Sequence, residues 1–182
     1  SPNIQFKFSI NSRDNEMPSG KDYHVTLNPI NGKCITTVVF GEQLTETKVI
    51  PAGINLPENT IWTIRLDMRK MLNSFEKTGF YTFYNGDKLA KADFRGVYIA
   101  GNAAPLSWDF SNLYNKHGLQ LNDPDGDGIY ETTLIMNKKQ DIKSTEDRWN
   151  QTKDISAFPQ YKSDFPISDA IYNLTTEEMI KA

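Results

Sequence analysis

The sequence predicts an all-β chain folded as an antiparallel β-sandwich. Two observations support this fold class: several short segments alternate apolar and polar residues, and Gly and Pro separate these segments. Helical signals are limited to one short stretch and to a helix start at residues 174–180. The clearest strand is residues 4–10, where every second residue is apolar, as expected for a strand with one face against a core. With 182 residues, of which 38% are hydrophobic, the chain is long enough to form such a core.

Further strands are predicted where the same alternation recurs between turn-forming residues. They are residues 23–27, 34–40, 42–50, 60–68, 96–101 and 128–136. A short helix is predicted over residues 69–78, because its apolar residues have helical spacing and Gly79 follows its last turn. Trp62 and Cys34 lie in apolar strands and are predicted to belong to the core.

The strand pattern divides the chain into three regions. Residues 1–50 hold the N-terminal strands, which either complete the sandwich or form a separate partial unit. Residues 51–140 hold the sandwich itself. Residues 141–182 are polar and irregular, with Pro159 and Pro166, and are predicted to form an extended C-terminal linker.

Composition and charge argue against several classes of function. The net charge is −3 and no dense basic cluster is present, so nucleic acid is not expected as a partner. No apolar run approaches the ~20 residues of a membrane span. Cys34 is the single cysteine, and His24 and His117 are the two histidines, so neither an internal disulfide nor a usual zinc site is expected. The sequence also lacks a nucleophile elbow and a glycine-rich phosphate loop, and we expect a non-enzymatic module without catalytic residues. A small standalone glycosidase is a further alternative, because its paired carboxylates come from distant positions and leave no spacing signal.

Residues 97–109 contain a short strand that ends in a Gly-Asn pair and a loop that bears Trp108. This segment resembles the signature of the starch-binding modules of carbohydrate-binding module family 20 and of related domains in secreted bacterial glycosidases. Residues 63–68 are similar to the opening strand of those modules, and residues 123–134 to their acidic turn and following strand. The resemblance implies that the predicted β-sandwich is immunoglobulin-like.

The chain departs from the pattern of those modules after Met136. There they continue with a hairpin that often carries a second Trp, and no similar segment follows here. A similar segment lies instead at residues 6–16, so either the N-terminal strands complete the sandwich in permuted order or a preceding copy ends there. Residues 166–178 resemble the connector into the all-helical, six-hairpin (α/α) domain of Bacteroidetes glycoside hydrolases.

The resemblance implies a non-catalytic glycan-binding or scaffold module of a glycoside hydrolase that is secreted, periplasmic or on the cell surface. Its partners would be a poly- or oligosaccharide of the α-glucan type and a C-terminal catalytic domain of the same polypeptide. The candidate contact residues are Trp108, Tyr114 and Trp149, because a flat aromatic ring suits the apolar C–H face of a glucose ring. The alternative is an immunoglobulin-like spacer without a sugar site, in which Trp108 lies in the core.

Asp123, Asp125 and Asp127 stand at alternate positions before a glycine, as in the opening of a calcium-binding loop. An EF-hand is excluded, because its twelfth position holds Leu134 where a bidentate Glu is needed. Glu131 is positioned to replace that ligand, so a weak calcium site is one interpretation. The other, which we favour, is a plain hairpin turn whose acidic residues supply turn geometry.

Overall fold

The computed structural model describes residues 1–45 and 53–139, which form nine strands, one α-helix and three short 3₁₀ turns. In chain order, the strands and the α-helix are β1 (Asn3–Ile10), β2 (Tyr23–Thr26), β3 (Lys33–Val39), β4 (Thr60–Asp67), α1 (Arg69–Thr78), β5 (Phe80–Thr82), β6 (Lys88–Ala90), β7 (Val97–Gly101), β8 (Gln120–Leu121) and β9 (Ile129–Met136). The dominance of strands confirms the all-β prediction.

β1 is an inner strand of a four-stranded sheet with the order β2-β1-β7-β8 and antiparallel pairing throughout. Its alternating apolar residues are buried in the core; they are Ile4, Phe6, Phe8 and Ile10. Lys7 and Ser9 are buried as well, so β1 is not the half-exposed strand that its alternation predicts. The loop after β1 is the reason, because Lys7 Nζ lies 2.6 Å from Asp14 Oδ1 and 3.4 Å from the carbonyl oxygen of Pro18.

β4 is the central strand of a three-stranded sheet with the order β3-β4-β9. It pairs antiparallel with β9 but parallel with β3, where Cys34 lies opposite Trp62. The predicted antiparallel arrangement is therefore wrong for this one pair. The reason is the long connection between residues 40 and 59: a tight turn can join only antiparallel neighbours, whereas a parallel pair needs a crossover.

The two sheets share one hydrophobic core. The ring of Phe6 on β1 lies edge-on 5.4 Å from Trp62 on β4 and stacks 5.0 Å from Tyr23 on β2. Trp62 is fully buried, as predicted, and its Nε1 donates a hydrogen bond to Thr36 Oγ1 at 2.8 Å. Cys34 is only half-buried at the margin of the core, because β3 is an edge strand, and this burial raises the pKa of its thiol.

α1 confirms the predicted helix over residues 69–78. Met71 and Phe75 are its buried residues, and Gly79 ends it with a φ of 81° and an N–H that donates to the carbonyl of Phe75. The sequence does not predict the β5–β6 hairpin that follows, because each of its strands has only three residues. Asn85-Gly86, which lies between these strands, is nevertheless a typical hairpin turn signal.

The strand predicted over residues 42–50 is absent from the described part of that segment. Residues 42–45 form a single isolated bridge, in which Thr45 pairs with His24, and residues 46–50 lie outside the described residues. Leu44 is the only apolar residue in 42–45 and is itself exposed, so this stretch has no apolar face to pack against the core.

The N-terminal strands pair directly with strands that come later in the chain. β1 pairs with β7, and β3 pairs with β4, so residues from both parts of the chain make up each sheet. The compact unit that contains these sheets ends at Lys138. The predicted linker over residues 141–182 lies outside the described residues. Within the described residues, no helix combines the length and the apolar character needed to cross a lipid bilayer.

Candidate functional site

The loop that carries Trp108 leaves β7 at Gly101, where a side chain does not fit. A Cβ at this position would lie 2.7 Å from the carbonyl oxygen of Gln5 and would collide with the side chain of Leu106. Asn102 then satisfies both backbone polar groups of Gln5: its Oδ1 accepts from the N–H at 3.1 Å, and its own N–H donates to the carbonyl at 3.0 Å. The Gly-Asn pair therefore ends the strand and fixes the direction of the loop.

Asp109 organises the 3₁₀ turn Phe110–Asn115, which follows Trp108. One carboxylate oxygen of Asp109 accepts from Ser111 Oγ at 3.0 Å, and the other accepts from Asn112 Nδ2 at 2.7 Å. These hydrogen bonds, that of Asn112 foremost, lower the pKa of Asp109. Leu113 is fully buried and anchors the turn to the body of the protein.

Trp108 and Tyr114, two of the predicted contact residues, lie before and within this turn and are exposed to solvent. The exposed fraction is 39% for Trp108 and 56% for Tyr114. The centroid of the Trp108 ring lies 6.2 Å from that of Phe110, with the two rings tilted by 34°. Phe110 therefore supports the indole while a substantial part of it faces solvent. Trp149, the third predicted contact residue, lies outside the described residues.

Ser12 ties this turn to the end of β1. Its Oγ donates to the carbonyl of Phe110 and accepts from the N–H of Tyr114 at 3.2 Å. Ser12 and Asn11 have φ values of 64° and 59°, in the left-handed region. Asn11 tolerates this conformation well and uses its Oδ1 to accept from the N–H of Arg95 at 2.7 Å. The turn is therefore held by the buried side chain of Leu113 and by hydrogen bonds to Ser12 at the end of β1.

A groove of about 770 Å³ lies beside the turn, and we call it the polar groove. It is formed by the loop after β1, by the β5–β6 hairpin and by the first residues of the 3₁₀ turn. Its lining includes Arg13, Phe83, Asn85, Asp87, Asp93 and Phe110. The sequence does not predict this groove, because its walls come from three distant segments. The only local signals are the polar loop after β1 and the Asn85-Gly86 turn.

Asp123, Asp125 and Asp127 lie together on the turn between β8 and β9, with one carboxylate oxygen of each within 4.8 Å of the others. Their carboxylates accept backbone N–H groups of the same turn. Asp123 accepts from Asp127 at 3.2 Å and from Gly128 at 2.8 Å, and Asp127 accepts from Ile129 at 2.9 Å. The side chain of Asp123 raises the pKa of Asp125. This geometry is that of a turn closed by its own carboxylates.

Glu131, the predicted fourth oxygen ligand, lies on β9 outside this group of three. Its Oε2 is 3.9 Å from Nε of Arg65, and both side chains are partly exposed. The backbone of Glu131 pairs with Asn122 at the base of the turn. The three aspartates offer oxygen ligands of the kind that Ca²⁺ takes, but fewer side chains than its usual six to eight ligands require.

Comparison of the chain with models of protein families, with curated proteins and with solved structures finds no match. The candidate site is therefore defined by its geometry. Two of the predicted aromatic residues lie in one loop, Trp108 just before the 3₁₀ turn and Tyr114 within it. The three predicted aspartates share the turn between β8 and β9. The polar groove adjoins the 3₁₀ turn that follows Trp108.

Proposed function

We propose that this chain is a non-catalytic glycan-binding module with an immunoglobulin-like β-sandwich fold, which contacts an α-glucan through Trp108 and Tyr114. The observation that carries the proposal is the exposure of both rings in one anchored loop, with Trp108 just before the 3₁₀ turn and Tyr114 within it. Trp and Tyr recur at binding surfaces because each offers a large apolar face and loses little conformational entropy when it is covered. The axial C–H face of a glucose ring has the shape and polarity to cover such a face.

The rigidity of the turn favours binding. Leu113 is buried beneath it, Ser12 bonds to its backbone, and Asp109 holds two of its side chains. A ligand that binds a preorganised surface does not have to order the protein, and this saving appears as affinity. A spacer without a ligand would gain no affinity from holding an exposed aromatic turn in one conformation.

The polar groups of the turn suit a hydroxylated ligand. Ser111, Asn112 and Asn115 bring a hydroxyl and two amides, which both donate and accept hydrogen bonds. A sugar presents an apolar ring face and a rim of hydroxyls, and so matches a surface that combines aromatic rings with such groups. Ser111 and Asn112 already donate to Asp109, so a sugar would bond to the lone pairs and protons that these groups have left.

The resemblance of residues 97–109 and 166–178 supports the remaining parts of the proposal. In it, the module belongs to a secreted, periplasmic or cell-surface glycoside hydrolase of the Bacteroidetes type. A helical catalytic domain of the same polypeptide would follow it, and this module would supply glycan contact or support and no catalytic residue.

The alternative function is an immunoglobulin-like structural or interaction spacer without a sugar site. One observation favours it: more than half of the Trp108 surface is covered, partly by Phe110. In that case the indole would serve mainly to close the loop against the sheet, and its removal would lower the stability of the fold.

Trp108→Ala decides between these functions. If Trp108 is a sugar platform, the variant binds maltoheptaose about tenfold or more weakly by isothermal titration calorimetry, equivalent to about 1.4 kcal/mol. Its melting temperature should stay close to that of the parent, as for most surface substitutions. Ile30→Ala removes another exposed apolar side chain, 76% accessible, and is the matched control. Unchanged binding, or a parent protein that binds no α-glucan, would contradict the proposal.

A further inference from the structure

We propose that the polar groove is a binding subsite for a neutral oligosaccharide that continues from the Trp108 ring. The proposal rests on the glycan-binding function above and adds the position and the ligand class of a second part of the site. It is carried by four features of the groove: its size, its fixed walls, its lining and its balance of charge.

The groove has the size and the stability of a ligand site. Its volume of about 770 Å³ falls within the range of roughly 300–1,000 Å³ that is typical of ligand pockets. Its wall after β1 is fixed by hydrogen bonds: Asn15 Oδ1 accepts from the N–H of Ile10, and Asn15 Nδ2 donates to the Ile10 carbonyl, both at 3.0 Å. Asn11 Nδ2 donates to the carbonyl of Asp93 at 2.7 Å and so connects this wall to the opposite side. The groove is therefore formed before any ligand binds.

The lining combines apolar surface with polar groups that are free to bind. Phe83, Leu89 and Phe110 supply the apolar part. The side chains of Arg13 and Asp93 are exposed and have no hydrogen-bonding or ionic partner within the described residues. The guanidinium of Arg13 donates hydrogen bonds and the carboxylate of Asp93 accepts them. The two side chains can therefore bond to the lone pairs and to the protons of sugar hydroxyls. The apolar part can lie against the C–H face of the same sugar ring.

The charges of the lining are balanced, which argues for a neutral ligand. Arg13 and Lys88 are its cations, and Asp14, Asp87 and Asp93 are its carboxylates. The carboxylate of Asp14 is already paired with the buried ammonium of Lys7 at 2.6 Å. Two cations therefore face two remaining carboxylates. A phosphate or a uronic acid would be repelled by the carboxylates, and a polycation would be repelled by the cations. A neutral polyhydroxylated chain is not subject to either repulsion.

Phe110 joins the groove to the exposed indole. It lines the groove, and its ring centroid lies 6.2 Å from that of Trp108. One oligosaccharide can therefore contact the indole with one ring and the groove with the next rings. This continuity predicts that affinity rises with chain length from maltose to maltoheptaose, because longer chains fill both parts.

The test uses the whole chain labelled with ¹⁵N and titrated with maltose, maltoheptaose or an oligogalacturonide, with amide and indole N–H signals followed by NMR. We expect maltoheptaose to shift both the Trp108 indole signal and the amides of Asn85 and Ser111. Arg13→Ala and Asp93→Ala should each weaken its binding about tenfold or more, as loss of a hydrogen bond to a charged group does. Lys77→Ala, an exposed cation on α1 away from the groove lining, should bind as the parent does.

Each other outcome has a distinct meaning. If Trp108→Ala weakens binding but Arg13→Ala and Asp93→Ala do not, the groove proposal is overturned and the glycan-binding function stands. If the groove variants weaken binding and Trp108→Ala does not, the groove binds the sugar, but the Trp108 platform and the continuity of the groove with it are rejected. Tighter binding of the oligogalacturonide overturns the neutral ligand class, and no binding of any of the three probes overturns both proposals.

Discussion

The hydroxyl of Tyr23 lies 2.5 Å from the carboxyl of Glu16 inside the protein, where the side chain of Glu16 has almost no contact with solvent. The same hydroxyl lies 2.8 Å from the carbonyl oxygen of Val39. A hydroxyl has one proton, so it can donate to only one of these acceptors. Burial is the dominant effect on the carboxyl and raises the pKa of Glu16 from 4.5 to about 7. The hydrogen bond from Tyr23 and those from the backbone of Gly41 and Phe8 oppose this rise, because they stabilise the carboxylate.

This buried carboxyl makes stability depend on pH. Between pH 4.5 and about 7, the folded protein keeps a proton on Glu16 that the unfolded chain has released. The contribution of Glu16 to the free energy of unfolding is therefore fully present below pH 4.5 and is lost as the pH rises through about 7, by at most about 1.4 kcal/mol per pH unit. Urea denaturation at about pH 5 and about pH 8 measures this loss.

Glu16→Gln is the control for this prediction. The amide keeps one oxygen, which can accept from the N–H of Phe8, and its NH₂ can donate to Tyr23 without titrating, but the N–H of Gly41 loses its acceptor. We expect the variant to lose the decline over that pH interval and, because the Gly41 hydrogen bond is lost, to have a lower stability that does not vary between about pH 5 and about pH 8. A parent protein whose stability is flat or rises over the interval would show that Glu16 is ionised in the fold, for instance through the nearby ammonium of Lys7.

Gly101→Ala tests the start of the Trp108 loop. The added Cβ would lie 2.7 Å from the carbonyl oxygen of Gln5, and backbone cannot move aside as easily as a side chain. We expect the substitution to lower the free energy of unfolding by roughly 1–3 kcal/mol, as in other overpacked sites, measured by urea denaturation. Gly118→Ala is a matched control, because a Cβ there meets nothing within 4 Å. Equal effects of the two substitutions would contradict the assignment.

Ser9→Ala should leave stability unchanged or increase it slightly. Among the described residues, the Oγ of Ser9 is the one buried side-chain polar atom without a hydrogen-bond partner. Removing it relieves a desolvation cost of about 1–3 kcal/mol and gives up no protein hydrogen bond. A clear loss of stability in thermal melts would instead reveal that a water or another group satisfies this hydroxyl.

The acidic turn gives a prediction for calcium. Because Asp123 and Asp127 already accept backbone N–H groups and Glu131 faces Arg65, we expect melting curves in EDTA and in ~10 mM calcium to coincide. An ion bound to the folded state at one hundred times its dissociation constant would add about 2.7 kcal/mol and raise the melting temperature by several degrees. Such a rise, absent in Asp125→Asn, would establish a calcium site.

The sequence predicts most strands because alternation is a local property. Residues 4–10 and 128–136 each form a strand, and the helix before Gly79 is found where its spacing predicts it. The pairing of strands is not local, and it is there that prediction fails: nothing in residues 33–39 indicates that they lie parallel to β4. The burial of Lys7 fails for the same reason, since it depends on a loop that folds over it.

The candidate site is predictable only in part. An aromatic residue that follows a Gly-Asn strand end, such as Trp108, is visible in the sequence, and so is the acidic turn at Asp123. The polar groove is not, because Arg13, Asn85 and Phe110 come together only after β1 has paired with β7 and the hairpin has formed. Sequence spacing does not indicate that these three residues lie close together.

The pairing of β1 with β7 has a consequence for synthesis on the ribosome. β1 is made long before β7, the neighbour that ends at Gly101, so the hydrogen bonds of β1 on that side cannot form until that part of the chain has emerged. Contacts so far apart in sequence slow folding, because the entropy of closing the long loop is lost before the contacts form. During that interval, the apolar residues of β1 are open to chaperones and to aggregation. Slower elongation through the codons before Gly101 would therefore lengthen the vulnerable period of the nascent chain.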